Sequence, residues 1–247
     1  MIELFKLNHT LSFPAAEFAL DEPNGLLAFG GDLSAARLIA AYKQGIFPWY
    51  SKNEPLLWWS PTPRAIIYAD KFVASKSLKK SIRKYGYTAR LNTQFDQVIE
   101  RCSSVLRRAP YSVTSDESAE AHSANTWITE DMLAAYKNLH RLGYAHSVEI
   151  FNDNDELVGG LYGVVVSGIF CGESMFHLQT DASKAAFLAL SQHLAANGMS
   201  IIDCQLVNPH LESLGCVAIE RDKFLSLLKR HKTLVDCWQV QSLVLHS

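Results

Sequence analysis

The segment LVGGLYGVVVSGIFCGESMF, residues 157–176, contains two apolar runs separated by Ser167-Gly168. Ser-Gly is a turn signal, and apolar runs of this length on both sides of it predict a β-hairpin. A further apolar run, residues 146–151, precedes the hairpin and is separated from it by the polar turn Asn152-Asp153-Asn154-Asp155. The three runs together predict an antiparallel meander.

The residues after the meander predict a helix and another strand. The helix covers residues 182–196 and ends at Asn197-Gly198, a pair typical of helix C-termini. The strand covers residues 200–206. Meander, helix and strand occur in this order in the core of GNAT-type acyltransferases, a likeness of fold that says little about substrate. We predict an α+β protein in which residues 63–247 resemble a GNAT-like acyltransferase domain in fold.

Residues 1–62 predict a small N-terminal α/β domain. They are rich in Gly, Pro and aromatic residues and contain one clear helix, residues 35–44, with Ser34 at its start and Gly45 at its end. Within the larger domain, residues 74–85 predict a basic helix. Residues 107–125, dense in Ser, Asp and Glu, predict an exposed polar loop.

Composition restricts the class of protein. The 247 residues are 48% hydrophobic, and the formal net charge of −2 means that a nucleic acid would have to be met by a local basic cluster. Five cysteines without a CxxC pair favour a reducing compartment. The sequence shows no signal-peptide core and no run near the ~20 apolar residues of a membrane span. We expect a monomeric, cytoplasmic protein without a membrane partner.

Polar residues on two neighbouring predicted strands form a candidate site. Strand alternation makes Asp203 and Gln205 point to the same side. It also puts Glu173 and Met175 on one face of the preceding strand, so that a carboxylate adjoins an apolar wall. The alternative is a row of solvent-facing polar residues on a half-exposed sheet.

Phe187, Leu190 and Leu194 form one apolar stripe on the predicted helix 182–196. Such a stripe is usually part of a core. It lines a pocket only where the facing strands leave space, and the many glycines of the meander favour a close approach there. Both interpretations remain open at this point.

Two features favour a nucleic-acid partner. Four tryptophans, Trp49, Trp58, Trp59 and Trp127, precede the meander, and indole rings stack on nucleobases, although they also fill cores. The basic helix carries five cations over nine residues with no acid among them, which favours a phosphate partner over a merely solvated face. These cations are Lys76, Lys79, Lys80, Arg83 and Lys84.

Motifs for cofactors and metals are missing from the sequence. Residues 176–181 contain no Gly-rich pyrophosphate loop, and the chain has neither a P-loop nor a GxGxxG motif. No HxxxH pair and no nucleophile elbow occurs. We therefore expect no cofactor and no metal, and coenzyme A is disfavoured as a donor.

Several blocks of sequence together resemble one protein family. They are GLLAFGGDLS (25–34), AYKQGIFPWY (41–50), LWWSPTPR (57–64), TWIT (126–129), AYKNLHRLGYAHSVE (135–149), LVGGLYGVVVSGIFCGESMF (157–176), ASK (182–184), IDCQ (202–205) and SLG (213–215). In this order they closely resemble the bacterial leucyl/phenylalanyl-tRNA–protein transferases. The sequence departs from the family pattern at residues 107–125, and it matches the family only weakly at the C-terminal end.

The resemblance implies an aminoacyltransferase. Its donor would be tRNA charged with Leu or Phe, and also Met. Its acceptor would be a protein or peptide with an N-terminal Arg or Lys, and its product would be an N-degron. By position, Asp203 and Gln205 look like the catalytic pair, Trp49 and Trp127 like the pair that holds the 3′-terminal adenine, and the five cations like acceptor-stem contacts. The residues that look like the aminoacyl pocket are Leu161, Gly172, Glu173, Met175, Phe187, Leu190, Leu194 and Ile202.

As a mechanism, we expect Gln205 to accept a hydrogen bond from a neutral acceptor amine, while Asp203 polarises this arrangement and favours the cationic acceptor side chain. Strict alternation along the strands, however, turns the Ile202 side chain away from Met175.

Three alternative functions remain. They are another tRNA-dependent transferase of GNAT-like fold, for instance one that builds cell-wall peptides, a non-catalytic aminoacyl-tRNA binding protein, and an ordinary acetyltransferase.

Overall fold

A computed structural model of the chain describes residues 4–104, 128–230 and 236–246. The predicted polar loop 107–125 and Trp127 lie outside these ranges. Two β-sheets and seven α-helices occur in the described ranges, so the mixed α+β class predicted from the sequence is confirmed. No α-helix in these ranges is long and apolar enough to cross a membrane.

The first sheet, in the part of the chain that the structure describes, has four short strands in the order β1-β2-β4-β3. They are β1 (Phe5–Leu7), β2 (Leu26–Gly30), β3 (Phe47–Pro48) and β4 (Leu57–Trp59). Helix α1 (Ala35–Tyr42) connects β2 to β3, and the Ser34 side chain caps it by accepting from the Arg37 backbone N–H. The helix ends two residues before its predicted end because Gln44 and Gly45 form a turn, with Gly45 at a φ of 73°.

The second sheet contains the other eight described strands, in the order β11-β5-β10-β9-β8-β7-β6-β12. They are β5 (Arg64–Tyr68), β6 (Thr88–Leu91), β7 (Ala145–Phe151), β8 (Leu157–Val166), β9 (Ile169–His177), β10 (Ile201–Gln205), β11 (Val217–Ile219) and β12 (Gln241–Leu243). The predicted meander is present as β7, β8 and β9. Strand β10 lies parallel to β9 and antiparallel to β5.

The remaining helices cover both faces of the second sheet. They are α2 (Lys76–Lys84), α3 (Phe95–Ser104), α4 (Glu130–Arg141), α5 (Ala182–Ala196), α6 (Pro209–Ser213) and α7 (Arg221–Arg230). Buried side chains of α3 and α4 pack with the first sheet on one face, and those of α2 and α5 pack on the other. The predicted helix 182–196 is confirmed as α5. The predicted basic helix is α2, which starts later because Ser75 caps it.

Two glycines of the meander allow neighbouring parts of the chain to pack closely against strand β8. A Cβ on Gly163 would lie 2.3 Å from the backbone oxygen of Cys171 and 2.5 Å from the ring of Phe170. A Cβ on Gly159 would lie 2.6 Å from the Cβ of Ala182. These glycines therefore let β9 and the start of α5 pack tightly on β8, which places both elements for the site described next.

Candidate active site

A cavity of about 560 Å³ lies where strands β9 and β10 stop pairing. Their parallel pairing comprises Phe170 with Ile202 and Cys171 with Asp203. Beyond this pairing, each strand contains a β-bulge. In β9, Glu173 has no pairing partner on β8, and in β10, Cys204 has no pairing partner on β5. Such bulges redirect side chains and are frequent beside functional sites, which makes this opening the candidate active site.

Most of the residues predicted for the aminoacyl pocket line this cavity. They are Leu161, Gly172, Glu173, Met175, Phe187, Leu190 and Ile202. Leu194 is not part of the wall, because it lies one turn beyond Leu190 on α5 and is completely buried in the core. The stripe on α5 thus serves both purposes, with Phe187 and Leu190 at the cavity and Leu194 in the core.

The bulge at Glu173 changes which side chains share a face of the sheet. Leu161 pairs with Met175, and both pack with Ile202 in the layer that contains α5. Met175 and Ile202 therefore line one cavity, although strict alternation turns them apart. The Glu173 carboxylate instead reaches toward the opposite layer, so the predicted common face of Glu173 and Met175 is wrong.

Glu173 is held by two tyrosines from different parts of the chain. Tyr42 Oη, at the end of α1, donates to Glu173 Oε1 at 2.7 Å, and Tyr136 Oη, on α4, donates to Oε2 at 3.2 Å. The two hydroxyl oxygens lie 2.5 Å apart. Burial raises the pKa of Glu173 to about 7, and the two tyrosine hydrogen bonds oppose this increase. The carboxyl group therefore titrates near neutral pH at the cavity wall.

Asp203 and Gln205 do not share a face, because the bulge at Cys204 breaks the alternation of β10. Gln205 lines the cavity, whereas Asp203 is completely buried and is not part of the wall. The two residues remain connected, since the backbone N–H of Gln205 donates to Asp203 Oδ1 at 3.1 Å. Gln205 Nε2 is buried and has no hydrogen-bond partner among the residues that the structure describes.

The partner of Asp203 is Arg64, which ends the sequence block 57–64 but was assigned no role from the sequence. Arg64 Nε donates to Asp203 Oδ1 at 2.7 Å, and Nη2 donates to Oδ2 at 2.8 Å. This buried guanidinium neutralises the carboxylate, so the geometry does not support the expected attraction between Asp203 and a cationic acceptor. The available signal was an arginine directly before the apolar run 65–68, because a charge in a buried strand needs a buried partner.

Comparison with known proteins identifies the relatives of the chain. Residues 66–229 match the family model described as leucyl/phenylalanyl-tRNA protein transferase, and residues 31–62 match the model of its N-terminal domain. The chain belongs to the leucyl/phenylalanyl-tRNA protein transferase family. The resemblance stated from the sequence blocks is therefore confirmed.

Relatives that carry the family name match over nearly their whole length. The transferase of Pseudoalteromonas atlantica is 54% identical over 93% of this chain and 92% of its own. That of Idiomarina loihiensis is 51% identical over 96% and 95%, and that of Pectobacterium carotovorum is 48% identical over 98% of both. The solved structure of L-PGS from Bacillus licheniformis aligns at a TM-score of 0.38 with 14% identity, over 69% of this chain and 50% of that one.

The tryptophans of this transferase family member differ in burial. Trp58 is completely buried in the core, and its Nε1 donates to the carbonyl of Gly30. Trp49 is half-buried and meets Trp59 edge to face, with ring centroids 5.6 Å apart. Trp59 Nε1 also donates to the Trp49 backbone oxygen at 2.6 Å, which fixes the chain there. Trp127, the predicted second adenine contact, lies outside the described residues.

Helix α2 presents its cations to solvent. Leu78 and Ile82 are buried, and α2 packs against α5. Of the predicted tRNA contacts, Lys79 is half-buried, and Lys76, Lys80, Arg83 and Lys84 are exposed. None of the ion pairs between described residues involves these five. The helix therefore offers a row of uncompensated positive charge to a phosphate backbone.

Proposed function

We propose that this transferase moves leucine or phenylalanine, and methionine as well, from aminoacyl-tRNA to the N-terminal arginine or lysine of other proteins, which marks them for degradation as N-degrons. The observation that carries the proposal is the cavity between β9 and β10, which combines an apolar wall with the polar groups of Gln205 and Glu173. The names of its nearly full-length relatives state the same class of transfer. The protein works as a cytoplasmic monomer and needs no cofactor.

The catalytic unit of this proposal is a GNAT-like domain of residues 63–247, preceded by a small domain of residues 1–62. Two observations support this division. The first sheet ends at Trp59 and the second begins at Arg64, and the two family-model matches meet between residues 62 and 66. A meander, helix α5 and the parallel strand β10 follow in the order found in GNAT enzymes.

The donor side chain occupies the apolar part of the cavity. Leucine, phenylalanine and methionine share bulk without branching at Cβ, so a deep slot accepts them and excludes isoleucine and valine by shape. Phe187 and Leu190 from α5 and Met175 from β9 supply apolar surface. The volume falls within the ~300–1,000 Å³ of small-ligand pockets. Discrimination by shape is modest, since one methylene is worth ~1–3 kcal/mol.

The aminoacyl ester is already activated, so the main task of the protein is to position two substrates. The acceptor α-amino group has an ordinary pKa of ~7.7–8.0 and is partly neutral at cellular pH. The neutral amine attacks the ester carbonyl carbon, a C–N bond forms, and the C–O bond to the terminal ribose breaks. The proton that the amine loses passes to the departing ribose oxygen, so no strong base is needed.

Gln205 holds the attacking amine in this mechanism. Gln205 lines the cavity, and its side-chain oxygen accepts a hydrogen bond from the amine. Asp203 acts through the backbone of Gln205 and touches neither substrate, which makes it a positioning residue. Glu173 accepts a hydrogen bond from the amino group of the donor and so orients the aminoacyl group beside Gln205.

The body of the tRNA stays outside the cavity. Trp49 stacks on the 3′-terminal adenine, a contact worth ~1–3 kcal/mol per base, and Trp127 shares this role on the strength of the family resemblance alone. The cations of α2 contact the phosphates of the acceptor stem. The exposure of four of these five cations supports this assignment.

Replacing Gln205 by alanine tests the proposed function. With tRNA charged with labelled leucine and a peptide that begins with arginine, we expect turnover to fall by about 10²-fold or more, because the amine is no longer oriented. Binding of the aminoacyl-tRNA, measured separately, should be retained. Gln44→Ala is the control, since this exposed side chain donates to the Ala40 carbonyl and does not line the cavity, and the variant should transfer normally. Equal losses of binding and turnover in Gln205→Ala would contradict the role of Gln205.

A further inference from the structure

We infer that Arg64 is a positioning residue for the transfer reaction, because it fixes the backbone of Gln205 through Asp203 and so aims the Gln205 amide into the cavity. The inference rests on the proposed function and adds to it a residue that contacts neither substrate. In this inference Asp203 also acts indirectly, through the backbone of Gln205, and makes no direct contact with a substrate.

Three hydrogen bonds link Arg64, Asp203 and Gln205 in series at the bulge of β10. The two that join its guanidinium to Asp203 measure 2.7 and 2.8 Å, and Asp203 Oδ1 also accepts from the Gln205 backbone N–H at 3.1 Å. Gln205 has a φ of 58°, a left-handed conformation that is unfavourable for a residue other than glycine. Such a conformation persists only where its surroundings enforce it, and the Asp203 carboxylate provides the acceptor that does so.

The guanidinium is required because an unpaired carboxylate is unfavourable in this interior. Asp203 has no exposed surface, and Arg64 is 2% exposed. The forked guanidinium binds both carboxylate oxygens at once and thereby sets the rotation of the carboxylate relative to the Gln205 N–H. A lysine supplies the charge but not the fork, so Arg64→Lys separates the two contributions.

Arg64 is itself fixed from two sides. Its Nη1 donates to the Gly45 carbonyl at 3.1 Å, and its guanidinium carbon lies 4.9 Å from the ring centroid of Phe47 and 4.6 Å from that of Phe224. Phe47 begins β3, two residues before Trp49. One arginine therefore connects the strand before the proposed adenine contact with the bulge that carries Gln205.

The test compares Arg64→Lys with the unchanged protein by two measurements. In transfer from leucyl-tRNA to a peptide that begins with arginine, we expect kcat to fall by about 10²-fold while the KM for the aminoacyl-tRNA is retained. Without substrates, we expect the Gln205 backbone amide to exchange hydrogen about tenfold faster. Arg37→Lys is the matched control. Arg37 is equally buried and paired with Asp32 in the N-terminal domain, and its change should alter neither quantity.

A second variant keeps the inference testable if Arg64→Lys folds poorly. The double change Arg64→Met with Asp203→Leu removes both charges, a replacement that often leaves stability unchanged. We expect this variant to retain its unfolding midpoint and its binding of leucyl-tRNA but to transfer as slowly as Arg64→Lys. Normal kcat in a folded variant of either kind, or unchanged exchange of the Gln205 amide, would overturn the inference. If the unchanged protein transfers nothing, the proposed function fails, while amide exchange still reports whether Arg64 holds the bulge.

Discussion

The carboxyl group of Glu173 lies at the cavity wall between two tyrosine hydroxyls, and burial raises its pKa to about 7. In the proposed mechanism the carboxylate form holds the donor amino group, because an ionised carboxylate is a stronger hydrogen-bond acceptor than a protonated carboxyl group. Transfer should therefore be fastest above this pKa and fall as the pH decreases through about 7. A change in the hydrogen bonds to Glu173 should move this acidic limb.

Tyr42→Phe should move the acidic limb of the kcat profile to higher pH. The Tyr42 hydroxyl lowers the pKa of Glu173, so its loss lets that pKa rise further. Tyr136→Phe removes a longer hydrogen bond and should give a smaller shift in the same direction. The acceptor amine titrates alike in all variants, so the difference between profiles reports Glu173. Tyr87→Phe, whose hydroxyl donates to the Thr180 carbonyl, should keep the original profile. A shift of Tyr42→Phe toward lower pH would contradict this role of Glu173.

At the level of elements, the strands around the cavity were predictable and their bulges were not. Apolar runs and the Ser167-Gly168 turn predict β8 and β9 correctly. Alternation then fails at Glu173 and Cys204, because each strand contains one extra residue and a bulge leaves no sign in composition. The pair of Arg64 with Asp203 joins residues 139 positions apart, which follows only from the order of strands in the sheet.

Gly163→Ala should destabilise the contact between β8 and β9. The added Cβ would lie 2.3 Å from the Cys171 carbonyl oxygen and 2.5 Å from the Phe170 ring. The carbonyl oxygen belongs to the backbone of a paired strand, so it cannot shift as a flexible side chain does. We expect a loss of ~1–3 kcal/mol in the free energy of unfolding. Thermal unfolding should show it as a lower midpoint, by about 2–4 °C per kcal/mol. Gly172→Ala, with its nearest atom at 3.7 Å, is the control and should unfold near the original midpoint. Equal midpoints for the two variants would contradict the close contact at Gly163.

For the molecule as a whole, the formal net charge of −2 gives no general attraction to RNA. Helix α2 concentrates five cations in nine residues and leaves four of them exposed. Binding of tRNA should therefore depend on this one surface and weaken as salt concentration rises.

Charge reversal in α2 tests this dependence. Lys80→Glu with Arg83→Glu should weaken tRNA binding and flatten the plot of log affinity against log salt by about one unit of slope per lost phosphate contact. Lys229→Glu with Arg230→Glu changes the net charge equally, at exposed positions on α7, and should leave the slope nearly unchanged. Equal weakening by both pairs would show that net charge, and not α2, governs binding.

The measurement closest to the proposed function uses the purified protein, tRNA charged with labelled leucine, and two peptides that differ in their first residue, arginine or alanine. We expect labelled leucine to appear at the N-terminus of the arginine peptide and far less of it on the alanine peptide. Binding of leucyl-tRNA without transfer, or equal labelling of both peptides, would contradict the assignment of the cavity as an aminoacyl-transfer site.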